Sequence, residues 1–251
     1  MTSEGAMTGG PRLYSDLAGW FHLLTAPHEY REEAEYSIER ILEAASGPVH
    51  TVLELGSGGG NNALHMKRRF EMTLSDLSAE MLEVSRGINP ELRHIQGDMR
   101  SLRVDGPKFD AVFVHDAVGY LTTEDDIRAM AATAAHHCRP GGAVLVQPDH
   151  VRELFTPPYT EHGGHDGPDG SGLRYLMWCT DPDPSDSTYL ADFAYLLRHP
   201  DGTVSVEHDR HVLGIFPEST WVSALQEAGF DVIALTCPWE RRIFAGTRRG
   251  G

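Results

Sequence analysis

Cysteine is scarce in this chain. The three present, Cys138, Cys179 and Cys237, lie far apart and form no C-x-x-C pair. That spacing gives no zinc or redox motif and fits a reducing compartment. Long apolar runs are also missing: no stretch approaches membrane-spanning length and no secretory signal is present, so the expectation is a cytoplasmic protein with no membrane partner. Positive charge is in short supply. Against 37 acidic residues stand 21 basic ones, a formal net charge of −16. Such a field repels a phosphate backbone, which argues against a nucleic-acid partner. The basic runs Lys67-Arg68-Arg69 and Arg248-Arg249 are short and read as a helix end and a solvated tail. There are no internal repeats, and 251 residues suffice for one large α/β domain with an elaboration.

What is present is organised around Thr51-Val-Leu-Glu-Leu-Gly-Ser-Gly-Gly-Gly-Asn61. Val52, Leu53 and Leu55 form an apolar run of strand type, four glycines follow within five positions, and a helical pattern begins at Asn61. Glycine lacks a Cβ and accepts positive φ, so this turn lets a backbone approach a nucleotide-like ligand beside the free N–H groups of a helix start. The dinucleotide fingerprint G-x-G-x-x-G fails here, because its third glycine position holds Asn61. The spacing is instead Glu54-x-Gly56-Ser57-Gly58-x-Gly60. A second strand, Glu71–Ser75, ends at Asp76-Leu77, about twenty residues beyond the first glycine, where such folds place an acid on ribose hydroxyls. Asp76 could alternatively cap the helix Ser78–Arg86, a role open to Ser78 as well. A third segment, Gly97-Asp98-Met99-Arg100, follows an apolar run over Leu92–Ile95.

Strands and helices alternate through the first half. The pattern predicts further strands at Phe109–Val114 and Ala143–Gln147 and helices at Asn61–Phe70 and Glu124–Cys138. That alternation means βαβ units and a parallel sheet, with ligands beyond the carboxyl ends of the strands. The rule gathers Gly56–Gly60, Asp76, Asp98, His115-Asp116 and Asp149-His150 around one mouth. Upstream, a helical pattern starts at Tyr14 and runs to His22, and another spans His28–Ala45. Downstream the alternation breaks. Residues 156–172 read as loop, and three strand-like runs follow at Leu173–Cys179, Ser187–Leu197 and Thr203–Gly214, the last two joined by the hairpin signal Pro200-Asp201-Gly202. A helix Glu218–Ala228 and strands Asp231–Thr236 and Arg241–Thr247 end the chain.

The acid–glycine–acid order, with Gly97-Asp98-Met99 behind it, resembles class I S-adenosylmethionine (SAM) methyltransferases. The resemblance implies a Rossmann-like α/β fold with a mainly parallel seven-stranded sheet and an antiparallel last strand. It also implies SAM as cofactor and S-adenosylhomocysteine as product. The cofactor would lie against Glu54, Gly56, Ser57, Gly58, Gly60, Asp76, Leu77, Asp98, Met99 and His115. The insertion, the Tyr14-x-x-Leu17-Ala18 start and the His211-x4-Phe216-x4-Trp221 exit narrow it. Together they resemble the TDP-aminosugar N,N-dimethyltransferases of macrolide biosynthesis, which dimerise through their added sheet. The domains expected are a disordered tail over 1–12, a helical cap over 13–46, and a SAM-binding domain from 47–150 and 215–251. An antiparallel three-stranded subdomain over 151–214 completes the set. Two departures stand out: Tyr120 sits where that family has a histidine, and the loop His162-Gly-Gly-His165-Asp166 has no counterpart.

The candidate catalytic residues are His115, Tyr14 and Tyr120. His115 could be a general base or a backbone-bonded neighbour of the cofactor. Tyr120 could orient substrate or simply pack in the core. A nucleotide sugar calls for a cation near the mouth, for which Arg152, Arg174 and Arg241 are available. Among 14 histidines, His150, His162 and His165 with Asp166 fall near the mouth and could in principle hold a metal, though no metal site is assigned. Methyl transfer to N or O of a small molecule is the leading reading. Methylation of a carboxylic or keto acid, with or without metal, and a non-catalytic SAM-fold binding protein remain as alternatives. NAD chemistry is disfavoured by Asn61 and the Gly97-Asp98-Met99 segment.

Overall fold

The computed structural model describes residues 10–250. Of the tail expected over 1–12, residues 1–9 lie outside that range. Arg12 belongs to the first helical turn and pairs with Asp16 and Glu207.

The N-terminal cap is built of turns before it is built of helix. The run from Tyr14 to His22, read above as one helix, divides into short 3-10 turns at Arg12–Tyr14 and Ala18–Trp20 and a single turn, α1 (Phe21–Leu24). A further 3-10 turn, Pro27–Tyr30, leads into α2 (Arg31–Ala44), which lays Ala34 and Ile41 on the sheet. Strand β1 (Thr51–Leu55) is flanked by β2 (Glu71–Asp76) and β4 (Phe109–His115), both parallel to it, and β3 (Arg93–Gln96) edges the sheet beside β2. β5 (Cys138–Gln147) runs parallel to β4. β11 (Arg242–Arg248) inserts antiparallel between β5 and β10 (Phe230–Thr236), giving the order β10-β11-β5-β4-β1-β2-β3. The seven-stranded sheet with its antiparallel last strand is as the motifs imply.

Helices cover both faces, because central parallel strands are buried on both sides. In α5 (Glu124–His137), Ile127, Met130, Ala131 and Ala134 recur at helical spacing and are buried with Trp221, Ala224 and Leu225 of α6 (Glu218–Glu227). Thr123 caps α5 by accepting the Asp126 amide, and three acids fill its first turn, where the helix dipole favours them. α3 (Asn61–Met66) stops short of the expected Phe70, and α4 (Ala79–Ile88) starts from Ser78. Ser78 is the cap of α4, through the Met81 amide.

The inserted sheet holds four antiparallel strands: β6 (Tyr159–Gly163), β7 (Gly172–Thr180), β8 (Thr188–Arg198) and β9 (Val204–Gly214). β6 adds one to the three expected. Its sequence, Tyr-Thr-Glu-His-Gly, carries little strand signal, and pairing with β7 from Tyr159↔Cys179 to Gly163↔Tyr175 creates it. One face of this sheet packs Leu173, Tyr195 and Leu197 on Leu13 and Leu17 of the N-terminal turns. The other face leaves Leu176, Trp178, Leu196, Val206 and Val212 exposed. Among the described residues no helix is long and apolar enough to cross a membrane.

Candidate active site

The carboxyl ends of β1, β2, β4 and β5 open into a cavity of about 960 Å³, roofed by Tyr14, Phe21 and Leu24 from the N-terminal turns and by the inner face of β6–β9. That volume falls in the range of small-molecule sites. Its floor is the glycine turn. Gly56 (φ 73°) and Gly58 (φ 51°) hold left-handed backbone that other residues adopt at a cost. A Cβ on Gly56 would stand 2.4 Å from Ala117 Cβ and 2.8 Å from Met99 Cε, so these three elements close up only because the side chain is absent. The Gly56 and Ser57 amides both donate to the Ser75 carbonyl, at 2.8 and 2.9 Å.

Asp76 braces this turn. Its Oδ2 accepts the Gly58 amide at 2.8 Å and its Oδ1 accepts the Ser78 amide at 2.9 Å. Burial raises its pKa above the ordinary carboxylate value, although both amides favour the charged form. Glu54 is 2% exposed and is pushed up to about 8 by burial, with nearby His115 pulling the other way. Glu54 Oε2 and Ser57 Oγ are buried without a hydrogen-bond partner, and both residues line the cavity. Unpaired buried polar atoms are costly, and a ligand carrying donors satisfies them. The ammonium and hydroxyls of SAM are such donors, so the residues present fit the cofactor. Leu77, 66% exposed, also lines the cavity, as does Met99. Asp98 is engaged by Arg100, whose Nη2 lies 2.6 Å from Oδ2 and whose amide donates to Oδ1. Arg100 holds the Asp98 carboxyl below its usual range. Gly60 does not line the cavity. It caps α3 from behind, against Ser85 and Asn89.

His115 stands in an ionic cluster. Its Nε2 is 2.9 Å from Glu33 Oε1 and its Nδ1 is 3.4 Å from Asp116 Oδ2. Burial alone would depress its pKa, but Asp116 and Glu33 outweigh burial and lift it to about 9. The shift favours the imidazolium, which counts against the general-base option drawn from the sequence. Arg241 reaches the same carboxylates: it pairs with Asp116, and lies 3.5 Å from Glu33 and 3.7 Å from Asp149. Burial, then the charge of Asp116, raises Asp149 to about 7.

The His115 pKa sets a pH dependence. Its folded value exceeds the ordinary 6.5, so its stabilisation is full below about pH 6.5 and is lost as pH rises through about 9. We expect the melting temperature of the wild type to fall faster over that window than that of His115→Gln, as read by scanning calorimetry. Parallel curves would show that His115 carries no extra proton in the folded state.

Tyr14 and Tyr120 meet at the head of the cavity, hydroxyls 2.9 Å apart and rings edge to face. Tyr120 Oη lies 2.7 Å from His211 Nδ1, and His211 Nε2 lies 3.0 Å from Asp209 Oδ2. Asp209 and His211 went unassigned in the sequence reading. The signal was present: they occupy successive inward positions of β9, where alternation calls for apolar residues. The candidate metal ligands do not converge. His150 Nε2 meets Tyr159 Oη, His165 Nε2 meets Glu29, and Asp166 lies between Arg174 and Arg198. Among the described residues no group of three or more His, Cys, Asp and Glu side chains is placed to hold a metal ion.

Comparison with known proteins bears on this geometry directly. Residues 52–142 match a methyltransferase domain. The chain is 28% identical over 233 residues to a dTDP-3-amino-3,4,6-trideoxy-alpha-D-glucopyranose N,N-dimethyltransferase of Streptomyces venezuelae, covering 87% of this chain and 91% of that relative. It is 26% identical over 252 residues to a dTDP-3-amino-3,6-dideoxy-alpha-D-glucopyranose N,N-dimethyltransferase of Streptomyces fradiae, covering 97% and 96%. The crystal structure of Streptomyces venezuelae DesVI superposes with a TM-score of 0.82 at 26% identity, over 94% of this chain and 98% of that one. With its braced glycine turn and its buried, unpartnered Glu54, the chain is a SAM-dependent methyltransferase with the class I fold, similar in sequence and structure to the TDP-aminosugar N,N-dimethyltransferases.

Proposed function

We propose that this enzyme methylates the amine of a nucleotide-linked amino sugar in natural-product metabolism. The observation that carries the reading is extent: the likeness to aminosugar N,N-dimethyltransferases runs through the cap and the inserted sheet, over 87% of this chain and 91% of the relative, and these are the parts that roof the acceptor end of the cavity.

SAM supplies an electrophilic methyl group. Glu54 and Ser57 would hold its amino-acid end, Asp76 would fix the glycine turn beside its ribose, and Met99 would pack at its base. Tyr14 and Tyr120 face the acceptor. In-line transfer from a sulfonium draws most of its rate from alignment and exclusion of water, and the roofed cavity supports both. Of the three candidate phosphate cations, only Arg241 lines the cavity. Arg152 is bonded to carbonyls of Pro184, Asp186 and Ile215, and Arg174 to Asp166. The exposed apolar face of β7–β9 supports a homodimer, and the reduced-type cysteines and acidic surface support a cytoplasmic enzyme without nucleic-acid partners.

The test is transfer from labelled SAM to a panel of TDP-amino sugars, hydroxylated aromatics and small carboxylic or keto acids, with and without chelator. Label on an amino sugar, indifferent to chelator, is expected. Label confined to oxygen or carbon acceptors would overturn the amine assignment. Light scattering on the same preparation should give twice the chain mass of 27.7 kDa; a monomer would remove the dimer.

A further inference from the structure

Four side chains from three separate stretches form one unbroken line of hydrogen bonds out of the cavity: Tyr14, Tyr120, His211 and Asp209. Both tyrosines and His211 line the cavity, His211 being 3% exposed, and Asp209 lies behind them fully buried. The inner end sets which way the bonds can run. Burial raises the Asp209 pKa, but His211 and the Leu13 amide, 2.9 Å from Oδ2, more than offset it, so Asp209 is a carboxylate and can only accept. His211 Nε2 therefore donates to it, which in the neutral ring leaves Nδ1 as an acceptor. With the ring in that state Tyr120 can donate to Nδ1 and accept from Tyr14; when its hydrogen points away from the ring, Tyr120 donates to Tyr14 instead. The first arrangement leaves the Tyr14 lone pairs facing the cavity. Burial drives both phenols well above their ordinary pKa, so they hand protons on and do not hold charge.

We propose that this line is a proton relay that strips the acceptor amine, with His211 as the terminal acceptor and Asp209 as the residue that positions it. The proposal rests on the amine reading above. An ammonium has no lone pair with which to attack. It gives one proton to Tyr14 Oη, Tyr14 passes its own to Tyr120 Oη, and Tyr120 passes its own to His211 Nδ1. Three bonds to hydrogen break and three form. The freed nitrogen lone pair makes the N–CH₃ bond as the S–CH₃ electron pair returns to sulfur. The positive charge of the ammonium comes to rest on the His211 ring, against the Asp209 carboxylate. Once product leaves, water enters the cavity and takes the proton back along the same hydroxyls. Other ionisable groups facing the line are Tyr195, beside Asp209 and Tyr14, Asp149, which acts on both relay tyrosines, and Tyr30 and Asp76, which act on Tyr14. Arg12 and Glu207 pair with each other nearby, and the apolar ring of Phe193 lies 4.8 Å from that of His211.

The experiment measures kcat against pH on a labelled amine acceptor for the wild type, Tyr120→Phe and His211→Asn, with SAM affinity by calorimetry. Asparagine can still bond Tyr120 but cannot take up a proton. Each variant should lose about 10²-fold in kcat near neutral pH. The loss should shrink as pH passes the amine's own pKa, because solvent then supplies the free amine. SAM affinity should not change. A loss that is constant with pH would mark a structural role and overturn the relay, as would wild-type turnover in both variants. If the wild type methylates no amine at all, the proposed function falls and the relay with it. If it does so and the variants match it, only the relay falls.

Discussion

Asp76→Ala weakens SAM binding by about 10- to 150-fold, from the roughly 1.5–3 kcal/mol attached to hydrogen bonds with a charged acceptor. The carboxylate works on two amides at once. Gly58 N–H and Ser78 N–H are tied to its two oxygens, so one side chain fixes both the glycine turn and the start of α4. Alanine releases both, and the turn loses the conformation that the cofactor needs. Asp76→Asn should fall between, because its amide oxygen can still accept from one of the two. Asp98→Ala makes the contrast. Its carboxylate is already neutralised by Arg100, itself 46% exposed, so its removal should cost less. Calorimetric titration with SAM decides the matter, and equal affinity in wild type and Asp76→Ala would remove Asp76 from the cofactor site.

The second large effect is on stability. Gly60 has φ 76°, and a Cβ there would stand 2.3 Å from Ser85 Oγ and 2.4 Å from Asn89 Nδ2. Neither neighbour can yield: both are fully buried, Asn89 Nδ2 donates to the Gly60 carbonyl, and Ser85 Oγ bonds His94. Left-handed backbone costs an alanine roughly 1–2 kcal/mol and overpacking roughly 1–3 kcal/mol more. At about 2–4 °C per kcal/mol for a chain of this size, Gly60→Ala should melt roughly 5–20 °C below the wild type. Adding Ser85→Ala removes one of the two clashing atoms and should recover part of the loss. Gly87→Ala, with nothing within 4 Å of the new carbon, serves as control. A Gly60→Ala melt within a degree or two of the wild type would refute the tight contact. Because Gly60 does not line the cavity, the SAM affinity of the folded fraction should change little, which separates it from Gly56 and Gly58.

The difference between those glycines was not legible in the sequence. All sit in one motif, and only packing against Ser85 and Asn89, some 25 residues onward, distinguishes Gly60. Local signals carried far in the first half. β1, β2 and α5 were readable because apolar spacing, caps and glycine punctuation agree within a few residues. Where an element depends on a distant partner the signal failed. β6 is a strand because β7 lies beside it, and the cap turns follow from docking on the second sheet. The site divided the same way. Glu54, Asp76 and the tyrosines announced themselves by position, whereas the cluster around His115 draws Glu33 and Arg241 from opposite ends of the chain. Its charge balance, which favours the protonated ring, emerges only when they meet.

The strand order has a consequence for how the molecule comes into being. A ribosome releases the chain from its amino end, and domains begin to fold as they emerge. Here the last strand synthesised takes an interior slot, between β5 and β10. Until β11 is out, β10 has no partner and β5 presents an open edge, so the sheet waits for β11. Arg241, at the threshold of that strand, reaches the cavity at the same moment. A product terminated before Arg241 thus lacks β11, leaves β10 unpaired, and lacks the cation that steadies Glu33, Asp116 and Asp149. Completion of the sheet and completion of the active site are one event.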